Sequence, residues 1–141
     1  MAINGINHAS LRVRNLDVSE RFYTEVLGLT RVGSRESMRF YSSGRYAHEL
    51  ALVEDPDFRN RDEEGLLHLC FNVESEDALR GLYRRCRAAG VPVSGGVDHL
   101  VMRSFYLRDP DGYTIELGVD RPKHEREDNA RAFAWDRPLR L

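Results

Sequence analysis

The sequence predicts an α+β fold in which two βαβββ modules pair into a curled mixed sheet around a central cavity, and three observations carry that expectation. The chain repeats itself: Ile6-Asn7-His8-Ala9-Ser10-Leu11-Arg12-Val13 is echoed by Leu66-Leu67-His68-Leu69-Cys70-Phe71-Asn72-Val73, each an alternating strand with a histidine in the same register. The later halves correspond too, since His48-Glu49-Leu50-Ala51-Leu52-Val53-Glu54-Asp55-Pro56 lines up with Ile115-Glu116-Leu117-Gly118-Val119-Asp120-Arg121-Pro122. In each copy the apolar pattern runs from alternation to a period of about 3.6 and back, which spells one strand, one helix and then more strands. With 141 residues both copies are expected to share one domain, module one over about 5–55, module two over about 65–120 and a tail over 121–141.

After the first strand, Asp17-Val18-Ser19-Glu20 has the form of a capping box. Val18, Phe22 and Val26, with Leu27 and Leu29, then give a helical apolar face that Gly28 interrupts. Thr30 to Glu54 alternates and breaks at Ser42-Ser43-Gly44, as short antiparallel strands do, the last of them beginning at His48-Glu49. Asp55 to Gly65, with Pro56 and the charged run from Arg59 to Glu64, reads as the connector. In module two Ser75 is the expected cap of a helix with Glu76 and Asp77 in its first turn and Leu79, Leu82, Tyr83 and Cys86 on its apolar face. Gly90 and Pro92 mark its end. The strand-rich stretch from Val91 to Val119 carries the tight turn Asp109-Pro110-Asp111-Gly112. Beyond Asp120 the composition is charged up to Asn129 and finishes Ala130-Arg131-Ala132-Phe133-Ala134-Trp135, a tail expected to pack back over the domain or onto a partner chain.

Charge and composition exclude several classes of partner. Lysine plus arginine number 21 against 23 acidic residues, so there is no single-sign field to recruit nucleic acid or an anionic membrane. No apolar run has the length of a transmembrane helix and the first residues lack a signal-peptide pattern, so a cytoplasmic protein with a small-molecule partner is expected. Cys70 and Cys86 match neither a disulfide framework nor a zinc-ribbon spacing and are read as buried free thiols.

Strand parity then sorts the side chains. Ala9, Leu11 and Val13 form the helix-facing side of the first strand, which turns His8, Ser10 and Arg12 the other way. In module two Leu67, Leu69, Phe71 and Val73 face the helix and leave His68, Cys70 and Asn72 opposite, while on the last strand Thr114, Glu116 and Gly118 oppose Tyr113, Ile115, Leu117 and Val119. His8, His68 and Glu116 thus share the face away from the helices. Two neutral imidazoles and one carboxylate are the facial ligand set that leaves positions open on a six-coordinate divalent metal, so a substrate can reach the metal directly.

With these residues in view, the chain resembles the vicinal oxygen chelate superfamily, which includes glyoxalase I, the fosfomycin and bleomycin resistance proteins, methylmalonyl-CoA epimerase and the extradiol ring-cleaving dioxygenases. The likeness covers roughly residues 5 to 120. Its most specific piece is Ser104-Phe105-Tyr106-Leu107-Arg108-Asp109-Pro110-Asp111-Gly112-Tyr113-Thr114-Ile115-Glu116-Leu117, supported by Phe22-Tyr23 and Val26-Leu27-Gly28-Leu29. Within the superfamily the details look most like a short single-domain extradiol type. That resemblance implies a metal, Fe(II) first and Mn(II), Ni(II) or Zn(II) as alternatives, held by His8, His68 and Glu116. It also implies functional roles for His48, in the pattern His-x-x-Ala-Leu, for His99 before the penultimate strand, and for Tyr106 before the Asp-Pro-Asp-Gly turn. A catechol would chelate the metal through both oxygens, His48 would act as acid/base, and His99 and Tyr106 would hydrogen-bond the substrate oxygens. Ser10, Arg12, Cys70, Asn72 and Ser104 are expected along the pocket, and Arg12 and Arg103 are candidates for a substrate carboxylate.

The repeat itself leaves an alternative open. Glu49 corresponds to Glu116, so a regular strand turns Glu49 inward and His48 away, and His8, Glu49, His68 and Glu116 become the four-ligand set of glyoxalase I. Three classes follow: an extradiol-type dioxygenase, an oxygen-independent lyase, isomerase or epimerase working through a metal-stabilised enediolate, and a drug-sequestering binding protein. A homodimer is expected in each, since a single pair of modules leaves sheet edges uncovered.

Overall fold

The computed structural model describes residues 2–61, 65–122, 124–125 and 136–141. The end of the charged run before Gly65 and the segment from Ala130 to Trp135 lie outside the described residues. The chain forms two compact units, Met1–Asn60 and Arg61–Leu141.

In the first unit β1 (Ala9–Val13) leads into α1 (Leu16–Arg21), a π-helical turn (Phe22–Val26), and then β2 (Thr30–Arg35), β3 (Met38–Ser42) and β4 (Leu50–Glu54). These strands form one mixed sheet in the order β1-β4-β3-β2. β1 and β4 pair in parallel and the other pairs are antiparallel. The central strand β4 buries Leu50, Ala51 and Leu52 in succession, so both of its faces are covered there. Leu11, Val13, Leu16, Phe22, Tyr23 and Tyr41 complete this core.

The cap of α1 differs from the expected one. Asn15, not Asp17, is the N-cap, and its side chain accepts a hydrogen bond from the Val18 backbone N–H. Asparagine caps as well as aspartate does, and moving the start two residues rotates the buried face onto Leu16 and Ser19, leaving Val18 43% exposed. Asp17 and Glu20 then point to Arg39 on β3, and Tyr41 Oη donates to Glu20 at 3.0 Å, so the helix is tied to its sheet by charge-assisted hydrogen bonds.

The second unit repeats the plan with one addition. β5 (Leu69–Asn72), α2 (Glu76–Ala88), β6 (Gly96–Asp98), β7 (Met102–Arg108) and β8 (Thr114–Asp120) are followed by a short β9 (Arg137–Leu139). The sheet order is β5-β8-β7-β6-β9, with β5 and β8 parallel. Ser75 caps α2 as expected, through the Ala78 N–H, and Leu79 and Cys86 are buried on its inner face. The Asp109–Gly112 turn closes through Asp109 Oδ1, which accepts from Asp111 N and Tyr113 N, while Gly112 takes a φ of 87° that a side chain would resist.

Three further expectations are corrected here. β1 and β5 begin one residue after their histidines, so His8 and His68 precede the strands, and Leu67, expected to face the helix, is 82% exposed because no ladder fixes its parity. β4 likewise begins at Leu50, which places His48 and Glu49 in the approach to the strand. Cys86 is buried, but Cys70 is an exposed residue on the sheet face away from α2. The tail does return to its own module: Arg137–Leu139 pairs with β6, where Pro138 is tolerated because β9 is an edge strand.

Candidate active site

In the first unit the histidines come together just ahead of the parallel pair β1·β4. The rings of His8 and His48 lie 4.4 Å apart, centre to centre, and Phe40 of β3 meets His48 edge-on at 5.3 Å. His8 Nδ1 is 2.9 Å from Asn7 Oδ1. A carboxamide oxygen only accepts, so this bond puts the proton on Nδ1 and leaves Nε2 with its lone pair, the form in which imidazole binds a metal.

Glu49 is engaged elsewhere. Its carboxylate accepts from Ser42 Oγ at 2.9 Å, Ser43 N at 2.7 Å and Ser43 Oγ at 2.5 Å, which makes it the organiser of the turn after β3. Burial pushes its carboxyl up, but the hydrogen bonds from Ser43 and Ser42 outweigh that and hold it below the usual 4.5. The sequence parity that set Glu49 against His48 assumed a strand running through both. With β4 starting at Leu50 that constraint is gone, and the two side chains have separate partners.

In the second unit four predicted residues converge. Glu116, on β8, has a side chain only 5% exposed, and its two oxygens meet two histidines: Oε2 is 3.1 Å from His68 Nε2 and Oε1 is 3.4 Å from His99 Nε2. Tyr106 of β7 stands opposite Glu116 in the ladder, with its hydroxyl 3.3 Å from His99 Nε2 and its ring edge-on to His68 at 5.6 Å between centroids. Ser104 Oγ is 3.0 Å from the same nitrogen. Burial, and then the Glu116 carboxylate, push the Tyr106 hydroxyl up to about 12, so it is a donor at neutral pH. Burial, and then the Glu116 carboxylate, likewise push the Cys70 thiol up to about 12. Gly118 follows Glu116 on this face, and a Cβ there would run into the Met102 Cε and stand 3.3 Å from Cys70 Sγ. The absence of a side chain is what leaves room for the Met102 methyl and the Cys70 thiol on this face.

Other pocket candidates are placed differently. Arg12 pairs with Asp55 at 3.1 Å and Arg103 pairs with Glu76 and Asp98, so both guanidiniums have internal carboxylates. Ser10 and Asn72 are exposed on β1 and β5. Asp136, which nothing in the sequence singled out, lies just before β9 with Oδ1 2.7 Å from His99 Nδ1.

Among the described residues no three His, Cys, Asp or Glu side chains stand ready-made around a metal position. The donor chemistry nevertheless fits a divalent cation. His68 Nε2 and Glu116 Oε2 are joined by a proton that a cation would replace, and Glu116 Oε1 is a buried oxygen with no hydrogen bond, a strong acceptor left for a positive charge or a donor from outside the protein. His8, in the first unit, presents its free Nε2. Among the described residues no helix is long and apolar enough to cross a membrane.

Comparison with known proteins gives a consistent picture. The sequence model of the Glyoxalase/Bleomycin resistance protein/Dioxygenase superfamily matches residues 5–117. The metallothiol transferase FosB of Shouchella clausii is 31% identical over 119 residues, a match spanning 82% of this chain and 80% of that protein. The catechol-2,3-dioxygenase of Bacillus subtilis is 30% identical over 131 residues, but these make up 88% of this chain and only 46% of the dioxygenase, so the chain spans about half of that relative. Among solved structures, a glyoxylase/bleomycin resistance protein/dioxygenase domain from Frankia sp. EAN1pec superposes with a TM-score of 0.71 at 28% identity, covering 85% of this chain and all of the other.

Proposed function

Because this chain belongs to the glyoxalase/bleomycin resistance protein/dioxygenase superfamily, whose pattern runs through residues 5–117, we propose that it is a metal-dependent enzyme and that its reaction is extradiol-type cleavage of a catechol or related phenol. The fold alone does not choose among the superfamily's chemistries, so the choice rests on the site. The observation that carries it is the division of labour at positions 48 and 49: His48 lies against His8, while the Glu49 carboxylate is taken up by Ser42 and Ser43. An imidazole beside the metal-binding histidine suits acid/base work on an oxygen reactant. A second carboxylate would be needed there for the four-ligand lyase set.

Under this reading His8, His68 and Glu116 hold the metal, which when bound would supply the Lewis acidity and the electron through which a catechol and dioxygen react. His48 moves a proton at the reacting oxygen. Tyr106 donates from its hydroxyl and His99 accepts at Nε2, so the pair can orient the two oxygens of a diol. The buried Glu116 carboxylate balances the cation, and within its own unit the Tyr106 ring stands edge-on beside His68.

A second reading, a metal-dependent reaction that uses no dioxygen, is favoured by one fact: the chain matches FosB over most of that protein's length, but only about half of the catechol dioxygenase. One experiment separates the two. The protein is loaded anaerobically with Fe(II), Mn(II), Ni(II) or Zn(II) and assayed with a catechol panel for oxygen uptake and a yellow ring-opened product, and in parallel for hemithioacetal isomerisation and thiol transfer. The iron form is expected to consume oxygen and the zinc form to be inert, with metal lost from His68→Ala. Anaerobic turnover by the zinc or nickel form would give the case to the second reading.

A further inference from the structure

His99 has two ring nitrogens and two carboxylates competing for its proton. Asp136 Oδ1 is 2.7 Å from Nδ1, whereas Glu116 Oε1 is 3.4 Å from Nε2. A carboxylate only accepts, so the neutral ring can serve one of them, and the shorter contact takes the proton. Nε2 is then a bare lone pair. Three features agree with that assignment. Ser104 Oγ at 3.0 Å and Tyr106 Oη at 3.3 Å are hydroxyls that can donate to it. Glu116 Oε1 has no hydrogen-bond donor, although its side chain is only 5% exposed, as expected if Nε2 carries no proton.

Asp136 reaches this position because β9 is added to the sheet. Gly96↔Leu139, Val97↔Pro138 and Asp98↔Arg137 are in register, and Arg80 of α2 donates to the Arg140 carbonyl at 2.6 Å. The approach is close enough that a Cβ on Gly96 would lie 2.6 Å from the Leu139 carbonyl oxygen and 2.8 Å from Leu141 Cγ. On the other side, His99 sits in a turn fixed by Leu100 N–H donating to Asp98 Oδ1 and by His99 N–H donating to the Met102 carbonyl, with Leu100 held at a φ of 69°. Such strain in a non-glycine residue persists only where the surroundings over-determine it, and here it aims the histidine.

We propose that Asp136, delivered by the C-terminal strand β9, is a positioning residue that locks His99 in the Nδ1–H tautomer so that Nε2 is kept as an acceptor for a hydroxyl group of the substrate. The substrate class rests on the catechol reading above; the tautomer lock does not. The ligand is a hydroxyl donor because a bare Nε2 can only accept.

The test is nitrogen NMR of the apo protein labelled with 15N-histidine, at a pH where free imidazole is neutral, with His99 assigned by loss of its signals in His99→Gln. Wild type should show a protonated Nδ1 and a bare Nε2. Asp136→Asn keeps the shape of the side chain but can donate its amide N–H to Nδ1, and the ring should then switch to the Nε2–H form and bond Glu116. Gly96→Ala, remote from the ring, should displace β9 and abolish the Nδ1–H preference as well. A wild-type His99 that is Nε2–H or doubly protonated, or one unchanged in Asp136→Asn, overturns the lock. With an active iron form in hand, Asp136→Asn should lower kcat about 10- to 100-fold with metal content and KM held. A switched tautomer with unaltered kcat overturns the positioning role. A switched tautomer in a protein inert to every catechol leaves the lock standing and removes the catechol reading instead.

Discussion

At the scale of single residues, Glu49 and His48 show how one backbone detail decides chemistry. Glu49 is spent on Ser42 and Ser43, so Glu49→Ala should leave metal content and turnover near wild type while loosening the turn by about 1 kcal/mol. His48→Ala should do the opposite, lowering turnover by about 10²- to 10⁴-fold with metal retained and stability unchanged. Elemental analysis, steady-state kinetics and urea denaturation separate the two. The Glu49 contribution also has a pH signature. Its folded-state carboxyl lies below the usual 4.5, so the stabilisation is fully present above that value and is lost as pH falls through the folded one. The stability gap between wild type and Glu49→Gln should therefore narrow as pH falls below 4.5 and close once the folded carboxyl is protonated; a gap that persists in acid would mean that the charge is not what Ser42 and Ser43 read. The contact between His68 and Glu116 was legible in the sequence because strand parity puts both on the face away from the helix. The fate of Glu49 was not, because strand parity says nothing about residues that precede the ladder. Asp136 left no signal at all: its contact with His99 spans most of a module and depends on a three-residue strand containing a proline.

Among the elements, α2 was legible to the residue because Ser75 is the cap-forming side chain at its start, whereas Asn15 and Asp17 both qualify ahead of α1 and only packing tells them apart. The π-helical turn Phe22–Val26 had no sequence signal, since its buried Phe22 and Tyr23 fit an ordinary helix face equally well. Removing either cap should cost about 1 kcal/mol, a loss expected for Asn15→Ala and for Ser75→Ala but not for Asp17→Ala beyond the loosening of its exposed pair with Arg39. Thermal or urea unfolding of the three variants checks the assignment, and an Asp17→Ala deficit larger than that of Asn15→Ala would reverse it. β9 belongs at this scale too. Edge strands of three residues are marginal alone, and Gly96 together with the Arg80–Arg140 bond are what make this one hold.

On the scale of the whole molecule, the order βαβββ twice was legible from periodicity, and the structure adds β9 to the second copy. The apolar residues ahead of the first strands are poorly covered: Ile3 is 81% exposed, Ile6 86%, Leu66 46% and Leu67 82%. Side chains of this size left in water flank both His8 and His68, and we expect a second copy of the chain to cover them in a homodimer. Light scattering at micromolar concentration should give twice the chain mass, and Ile6→Asp or Leu67→Asp should shift it to one; a monomeric wild type excludes the dimer. One feature of the two sheets bears on how such a protein is made. In each unit the first strand pairs in parallel with the last of the βαβββ set, so the histidine ahead of β1 or β5 meets its partners only after everything between has been threaded into place. Parallel closures of this span are the late, slow events of folding, because the loop entropy is spent before the contact repays it. A half-folded chain with its hairpins formed holds His99 beside Glu116, but not yet His68. The contact between His68 and Glu116 therefore reports completed folding of the second unit, where the contact between His99 and Glu116 does not.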